Sequence, residues 1–205
     1  MRKLFDDAEY PAEPYPGARP GCSFVHVDGA GYELPDPPDL DGRIPVLAYG
    51  SNACPSKITW LRRALGLTGA VTVLQAKCTG LAAVWASGRR VVDDQRPATL
   101  AAMPGVVEEH AVWLATPEQL RVLDVCEGRG HRYHLARVHT GEVTLANGAS
   151  LPDVLAYVAA SPIRLPLLVD GKPVRTAEMA QAQAGVLTGE TATTHGLSVT
   201  VIDTG

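Results

Sequence analysis

Apolar positions along this chain fall in short runs separated by polar turns, and their spacing changes from one run to the next. Ile44-Pro-Val-Leu-Ala48 has the character of a buried strand and stops at Tyr49-Gly50-Ser51-Asn52. Pro55 then suits the first turn of a helix, and Ile58, Leu61 and Leu65 fall on one face of it. The order is strand, tight polar loop, helix. Strand-like runs follow at Ala70 to Leu74, Thr79 to Trp85, Ala98 to Met103 and Val106 to Leu114. A second helix is expected from Pro117 to about Cys126, then strands near Tyr133 to Val138, Val143 to Leu145 and Val154 to Ala159. Residues 175–187 carry a weak helical pattern, and Leu197 to Ile202 reads as a last strand. Many strands and few helices, not in regular alternation, predict an α+β fold built round a curled sheet or barrel.

Residues 1–42 read differently. They hold seven of the sixteen prolines and only one candidate strand, Cys22 to Val27. Prolines without periodic apolar positions mean extended or irregular chain. The division expected is a proline-rich arm over residues 1–42 and a domain over residues 43–205. Phe5, Tyr10, Tyr15, Phe24, Val25, Val27 and Tyr32 are too many large apolar side chains for a solvated tail. The arm is therefore expected to pack as a strap, on its own chain or on a partner's.

Composition narrows the function classes. A chain of 205 residues with 46% hydrophobic and 20% charged residues is ordinary for one globular domain. A net charge of −4 gives no reason to expect nucleic acid or an anionic membrane as partner. No apolar run approaches the length of a membrane span, and the acidic start at Asp6-Asp7 does not resemble a signal peptide. Cys22, Cys54, Cys78 and Cys126 are scattered without redox or metal-ligand spacing, so reduced thiols in the cytoplasm are expected. The tryptophans Trp60, Trp85 and Trp113 read as core, and the pairs Arg62-Arg63 and Arg89-Arg90 as solvated.

Two segments carry candidate chemistry. In Tyr49-Gly50-Ser51-Asn52, glycine permits an unusual backbone and Ser51 and Asn52 are loop and cap formers. The amides of such a loop, next to a helix N-terminus, can converge on a small anion, although a plain turn explains the same residues. The second segment is Thr116-Pro117-Glu118-Gln119, a capping box with proline at the first helical position. A helix starting there aligns Leu120, Leu123 and Glu127. A carboxylate at the end of an apolar stripe, at the negative end of a helix, has a raised pKa and can exchange a proton near neutrality. The spacing serves equally a Glu127 turned to solvent before Gly128, a natural helix stop.

The two segments together resemble the γ-glutamylcyclotransferase family, with its AIG2-like and γ-glutamylamine cyclotransferase branches. Leu47-Ala-Tyr-Gly-Ser-Asn52 is similar to the family's Y-G-S-N loop. Ala111 to Gly128 is similar to its second block, a strand running into a helix that ends in L-D-x-x-E-G, with a tyrosine soon after, here Tyr133. The likeness spans roughly residues 44–160. It implies a small mixed β-barrel flanked by a few helices, Glu127 as the catalytic acid/base, and Tyr49, Gly50, Ser51, Asn52 and Tyr133 around the substrate. The implied reaction releases 5-oxoproline from a small γ-glutamyl amide and needs no cofactor and no metal. Homodimer formation is left open. Ala53 and His110 depart from the family's usual residues, residues 1–42 have no counterpart in it, and the region after Tyr157 fits poorly. Three other readings compete: a thiol mechanism at Cys54 or Cys126, a metal at His131, His134 and Glu127, and a non-catalytic binding module on the same fold. Removal of a γ-glutamyl group from a biosynthetic intermediate is the specialised variant.

Overall fold

The computed structural model describes residues 1–35 and 42–203, so Pro37 and Pro38 of the arm lie outside the described residues. The strands in chain order begin with β1 (Lys3–Asp6), β2 (Phe24–Val27), β3 (Ala30–Tyr32), β4 (Ile44–Ala48), β5 (Val71–Trp85) and β6 (Ala98–Ala115). They continue with β7 (Tyr133–Val138), β8 (Glu142–Leu145), β9 (Leu155–Ala159), β10 (Leu167–Val169), β11 (Lys172–Pro173), β12 (Glu190–Thr191) and β13 (Val199–Val201). The helices are α1 (Pro55–Leu65), α2 (Pro117–Glu127) and the single turn α3 (Gln181–Ala184). The fold is α+β.

Ten strands form one sheet in the order β1-β3-β2-β5-β6-β4-β9-β7-β13, with β8 pairing on β5, and β11-β10-β12 make a small second sheet. The large sheet is open. The barrel expected from the sequence does not close, because the end members β1 and β13 are short and do not pair with each other. The four strand-like runs between Ala70 and Leu114 are two long strands. Their ladder is continuous except where Met103–Val106 of β6 bulges out opposite Gly80. Pro104-Gly105, the gap between two of the expected strands, falls at this bulge together with Gly80.

Both faces of the sheet are covered, which is why its strands read as apolar runs rather than as alternation. Leu47, Leu74, Val112 and Leu114 face one core, capped by Tyr15, Ala184 and Leu197. Val46, Ala48, Val73 and Trp113 face the other, beneath Ile58 and Leu61 of α1 and Leu123 of α2. The arm takes part in this packing. It holds three strands where the apolar pattern marks one, with β2 paired to β5, and Phe5 and Phe24 are buried edge to face 5.1 Å apart. Asp7 ties the arm to α1: its carbonyl accepts from Ser56 Oγ at 2.9 Å and its carboxylate accepts from Thr59 Oγ1. The weak helical pattern over residues 175–187 yields only α3, since Gly185 ends it after one turn.

One end of the sheet gathers the segments of interest. β4 and β9 are parallel neighbours, so the loop after Ala48 and the turn after Ala159 leave from the same edge. β7 is antiparallel to β9, and its first residue, Tyr133, lies opposite Ala159.

Candidate active site

The loop after β4 is a short 3-10 turn over Ser51–Ala53 that leads directly into α1. Trp113 fixes it from beneath: its indole N–H donates to the Asn52 carbonyl at 2.8 Å. Gly50 is favoured by space rather than by handedness. Its φ is −105°, but a β-carbon there would stand 3.0 Å from the Tyr15 hydroxyl. Helix α2 starts on the capping box read from sequence: Gln119 N–H donates to Thr116 Oγ1, and Thr116 N–H to Gln119 Oε1. It stops at Gly128, whose φ is +64°. Arg132 then donates to the carbonyls of Cys126 at 2.7 Å and Glu127 at 3.1 Å, closing the helix end.

Glu127 and the loop meet. Asn52 Nδ2 donates to Glu127 Oε1 at 2.8 Å. Tyr49, Gly50, Ser51, Asn52, Glu127 and Tyr133, all singled out by the sequence, line one cavity of about 690 Å³. Tyr15, Lys57, Arg90, Arg132, Tyr157 and Arg164 share that lining. The tyrosine hydroxyls are committed to the protein: Tyr133 donates to the Ala98 carbonyl at 3.0 Å, and Tyr49 to the Tyr157 carbonyl. Tyr157 donates to Asp124 at 2.8 Å.

Burial is the main reason that the Glu127 carboxyl titrates above the ordinary glutamate range. The Asn52 amide and the positive charges of Lys57, Arg132 and Arg164 hold that rise in check. Burial likewise lifts Tyr49 and Tyr133 well above the usual phenol value and Tyr15 to about 12, so these rings stay protonated. The arrangement is one half-buried carboxyl able to exchange a proton, in a cavity with several donors and no other carboxylate hydrogen-bonded to it among the described residues. Replacing Asn52 by alanine removes the donor that favours the ionised form. In Asn52→Ala, Glu127 should therefore titrate at higher pH, and the acid limb of any Glu127-dependent pH–rate profile should move upward. An unmoved limb would show that this contact has no electrostatic role.

Several functional contacts were not legible. Lys57, Arg132 and Arg164 carry no motif in sequence, and Tyr15 was marked only as an arm aromatic. Arg90 was expected to be solvated, yet it stacks 4.9 Å above the Tyr15 ring and lines the cavity. Trp60 was read as core but is 47% exposed, with Lys57 Nζ 3.5 Å above its ring. All four cysteines are free, and among the described residues no three His, Cys, Asp or Glu side chains gather as metal ligands. Nor is any described helix long and apolar enough to cross a membrane.

No protein-family model matches the chain, and no curated protein matches it. Solved structures that resemble it include an uncharacterized protein from Homo sapiens, at 17% identity and a TM-score of 0.48, covering 59% of this chain and 69% of that one. YkqA from Bacillus subtilis is another, at 20% identity and a TM-score of 0.43, covering 59% of this chain and 42% of that one. A gamma-glutamyl cyclotransferase also stands among the structures that resemble this chain, at 18% identity and a TM-score of 0.47, with 58% of this chain and 67% of that one covered.

Proposed function

We propose that this protein is a γ-glutamyl cyclotransferase in which Glu127 is the general acid/base. The observation that carries the reading is the contact between its two motifs: the glutamate of L-D-x-x-E-G lies half-buried on a cavity wall, 2.8 Å from the asparagine of Y-G-S-N. In this reaction the substrate's own α-amine attacks its γ-amide carbon. The bond from that carbon to the leaving nitrogen then breaks, giving 5-oxoproline and a free amine. Nucleophile and electrophile belong to one molecule, so the protein need only hold the folded conformer and move a proton. Glu127 takes the proton from the α-ammonium as attack proceeds and returns it to the departing nitrogen. The backbone N–H groups of Gly50 to Asn52 are the candidate donors to the developing oxyanion. The step itself requires no metal or cofactor, and the scattered thiols fit a reducing compartment such as the cytoplasm.

The size of the cavity favours a substantial leaving group. At about 690 Å³ it lies in the range that accepts drug-sized ligands, more room than a γ-glutamyl group fills. Removal of a γ-glutamyl group from a larger amine is therefore the form of the reaction to test beside simple substrates. A panel of γ-glutamyl amino acids, γ-glutamylamines, glutathione and bulkier γ-glutamyl amides, scored for 5-oxoproline, should give lactam from at least one of them. No lactam from any member would overturn the reading.

A thiol mechanism makes a different prediction. Burial, and then the neighbouring Glu127, push the Cys126 thiol above its usual value, which disfavours a thiolate. Cys126→Ser should keep most of the lactam-forming activity. Inactivation as complete as that of a Glu127 variant would move the chemistry to sulfur.

A further inference from the structure

Two arginines are almost fully withdrawn from water, and the protein satisfies them very differently. Arg96, 3% exposed, donates to four carbonyls: Ala184 at 2.9 Å, Ala86 at 2.8 Å, Ser87 at 2.6 Å and Leu187 at 3.0 Å. Arg164 is 5% exposed, yet its hydrogen bonding amounts to one long donation from Nη1 to the Arg89 carbonyl at 3.4 Å. Its Nε–H is buried without a partner, and it forms no ion pair among the described residues. A guanidinium has five N–H donors in a rigid fork. Burying the Nε–H of such a cation without an acceptor is unfavourable unless something completes it.

The position of Arg164 is fixed. The carbonyls of its chain neighbours are pinned to one segment: Gly88 N–H donates to Ile163 O at 2.8 Å, Ser87 N–H to Leu165 O at 2.9 Å, and Ser87 Oγ to Pro162 O at 3.1 Å. The guanidinium sits 5.8 Å from the Tyr133 ring and lines the cavity that holds Glu127. The other cations near Glu127 are occupied, Arg132 with the end of α2 and Lys57 above the Trp60 ring. Arg164 alone among these is a buried cation with unused donors. A carboxylate matches those donors in charge and in its two-oxygen geometry.

We propose that Arg164 is the residue that binds a carboxylate of the substrate in this cavity. The inference rests on the cyclotransferase reading only for what the rest of the substrate is. Two carboxylates could supply the partner, the α-carboxylate of the γ-glutamyl group or one borne by the leaving amine. The turn that carries Arg164 lies beyond the segments that resemble the γ-glutamylcyclotransferase family.

Calorimetry in a Glu127→Gln background, where substrate is not consumed, separates the two sources. The probes are 5-oxoproline against its carboxamide, and γ-glutamylalanine against γ-glutamylethylamide. The loss of a charge-assisted contact of about 1.5–3 kcal/mol corresponds to roughly 10- to 150-fold in affinity. Adding Arg164→Met should weaken 5-oxoproline by that factor but spare its carboxamide if the α-carboxylate is held. It should weaken γ-glutamylalanine and spare γ-glutamylethylamide if the leaving-group carboxylate is held. Arg164→Lys, which keeps the charge but not the fork, should fall between. If Arg164→Met binds all four probes as its parent does, the assignment is wrong. Should the methionine variant not fold, the parent decides: no preference for the acid in either pair overturns the proposal. A carboxylate preference that depends on Arg164, with no lactam from the wild-type protein, would overturn the cyclotransferase reading and leave this assignment standing.

Discussion

Glu127→Gln should lose about 10²–10⁴-fold in the rate of 5-oxoproline release, the usual effect of removing a general acid/base, while its circular dichroism stays native. Glutamine keeps the size of the side chain and can still meet Asn52, so the loss reports the missing proton carrier. Stability gives an independent check with a definite sign. The folded-state pKa of Glu127 is raised above the ordinary 4.5, chiefly by burial. Below 4.5 the carboxyl is neutral in both folded and unfolded chains, and its contribution to stability is fully present. As pH rises through the folded pKa, the group must ionise inside the cavity and that contribution is lost. Glutamine does not titrate. The melting temperature of the variant, relative to wild type, should therefore rise between acid and neutral pH. Undiminished lactam formation in Glu127→Gln would remove this residue from the chemistry, and a flat stability difference would mean that its carboxyl is solvated.

Arg96→Met should be the most destabilising single change named here, on the order of 3–5 kcal/mol. The guanidinium fills four carbonyls drawn from two distant parts of the chain, Ala86 and Ser87 on one side and Ala184 and Leu187 on the other. Its backbone exchanges a reciprocal pair with the Gln181 side chain: Arg96 N–H donates to Oε1 at 2.9 Å, and Nε2 donates to the Arg96 carbonyl at 2.8 Å. Methionine fills the volume but withdraws the shared donor from all four carbonyls, of which that of Ala184 keeps the Leu187 N–H at 3.3 Å. For a chain of this length such a loss lowers the melting temperature by roughly 6–20 °C. Arg96→Lys should recover less than half of the loss, because an ammonium cannot span four acceptors set for a planar fork. A melting temperature within about 2 °C of wild type in Arg96→Met would show that the carbonyls find other donors.

What the sequence made legible follows from where the information is local. The Thr116–Gln119 cap, the Gly128 stop and the Ile58–Leu61 face are set by residues within one or two turns, and each is found as read. The pairing of Asn52 with Glu127 spans 75 positions, and the family resemblance, rather than any spacing, suggested that the two segments meet. Strand count failed where a partly polar stretch, Gln75 to Cys78, sits inside a ladder whose hydrogen bonds come from the partner strand, and where Pro104-Gly105 bulges without ending β6. The arm's strands β1 and β3 are three or four residues long and exist only because β2 is already paired to β5. Arg164 had no signal at all. A single basic residue after Pro162 looks like any surface turn until burial reveals that its Nε–H is unspent.

The junction at Arg96 also sets the order in which this molecule can assemble. β5 and β6 form a hairpin of near neighbours, which closes early because little chain entropy is spent in bringing its strands together. The contacts that finish the cavity wall are of the opposite kind. Gln181 Nε2 reaches the Tyr15 carbonyl across 166 positions, and the Tyr15 hydroxyl accepts from Ala98 N–H while crowding Gly50. During synthesis Glu127 leaves the ribosome well before Gln181 does, so a partly made chain can hold the Tyr49–Asn52 loop and Glu127 and still lack a finished pocket. The pocket should be complete only when the Gln181 segment returns to meet the proline-rich arm over the β5–β6 hairpin.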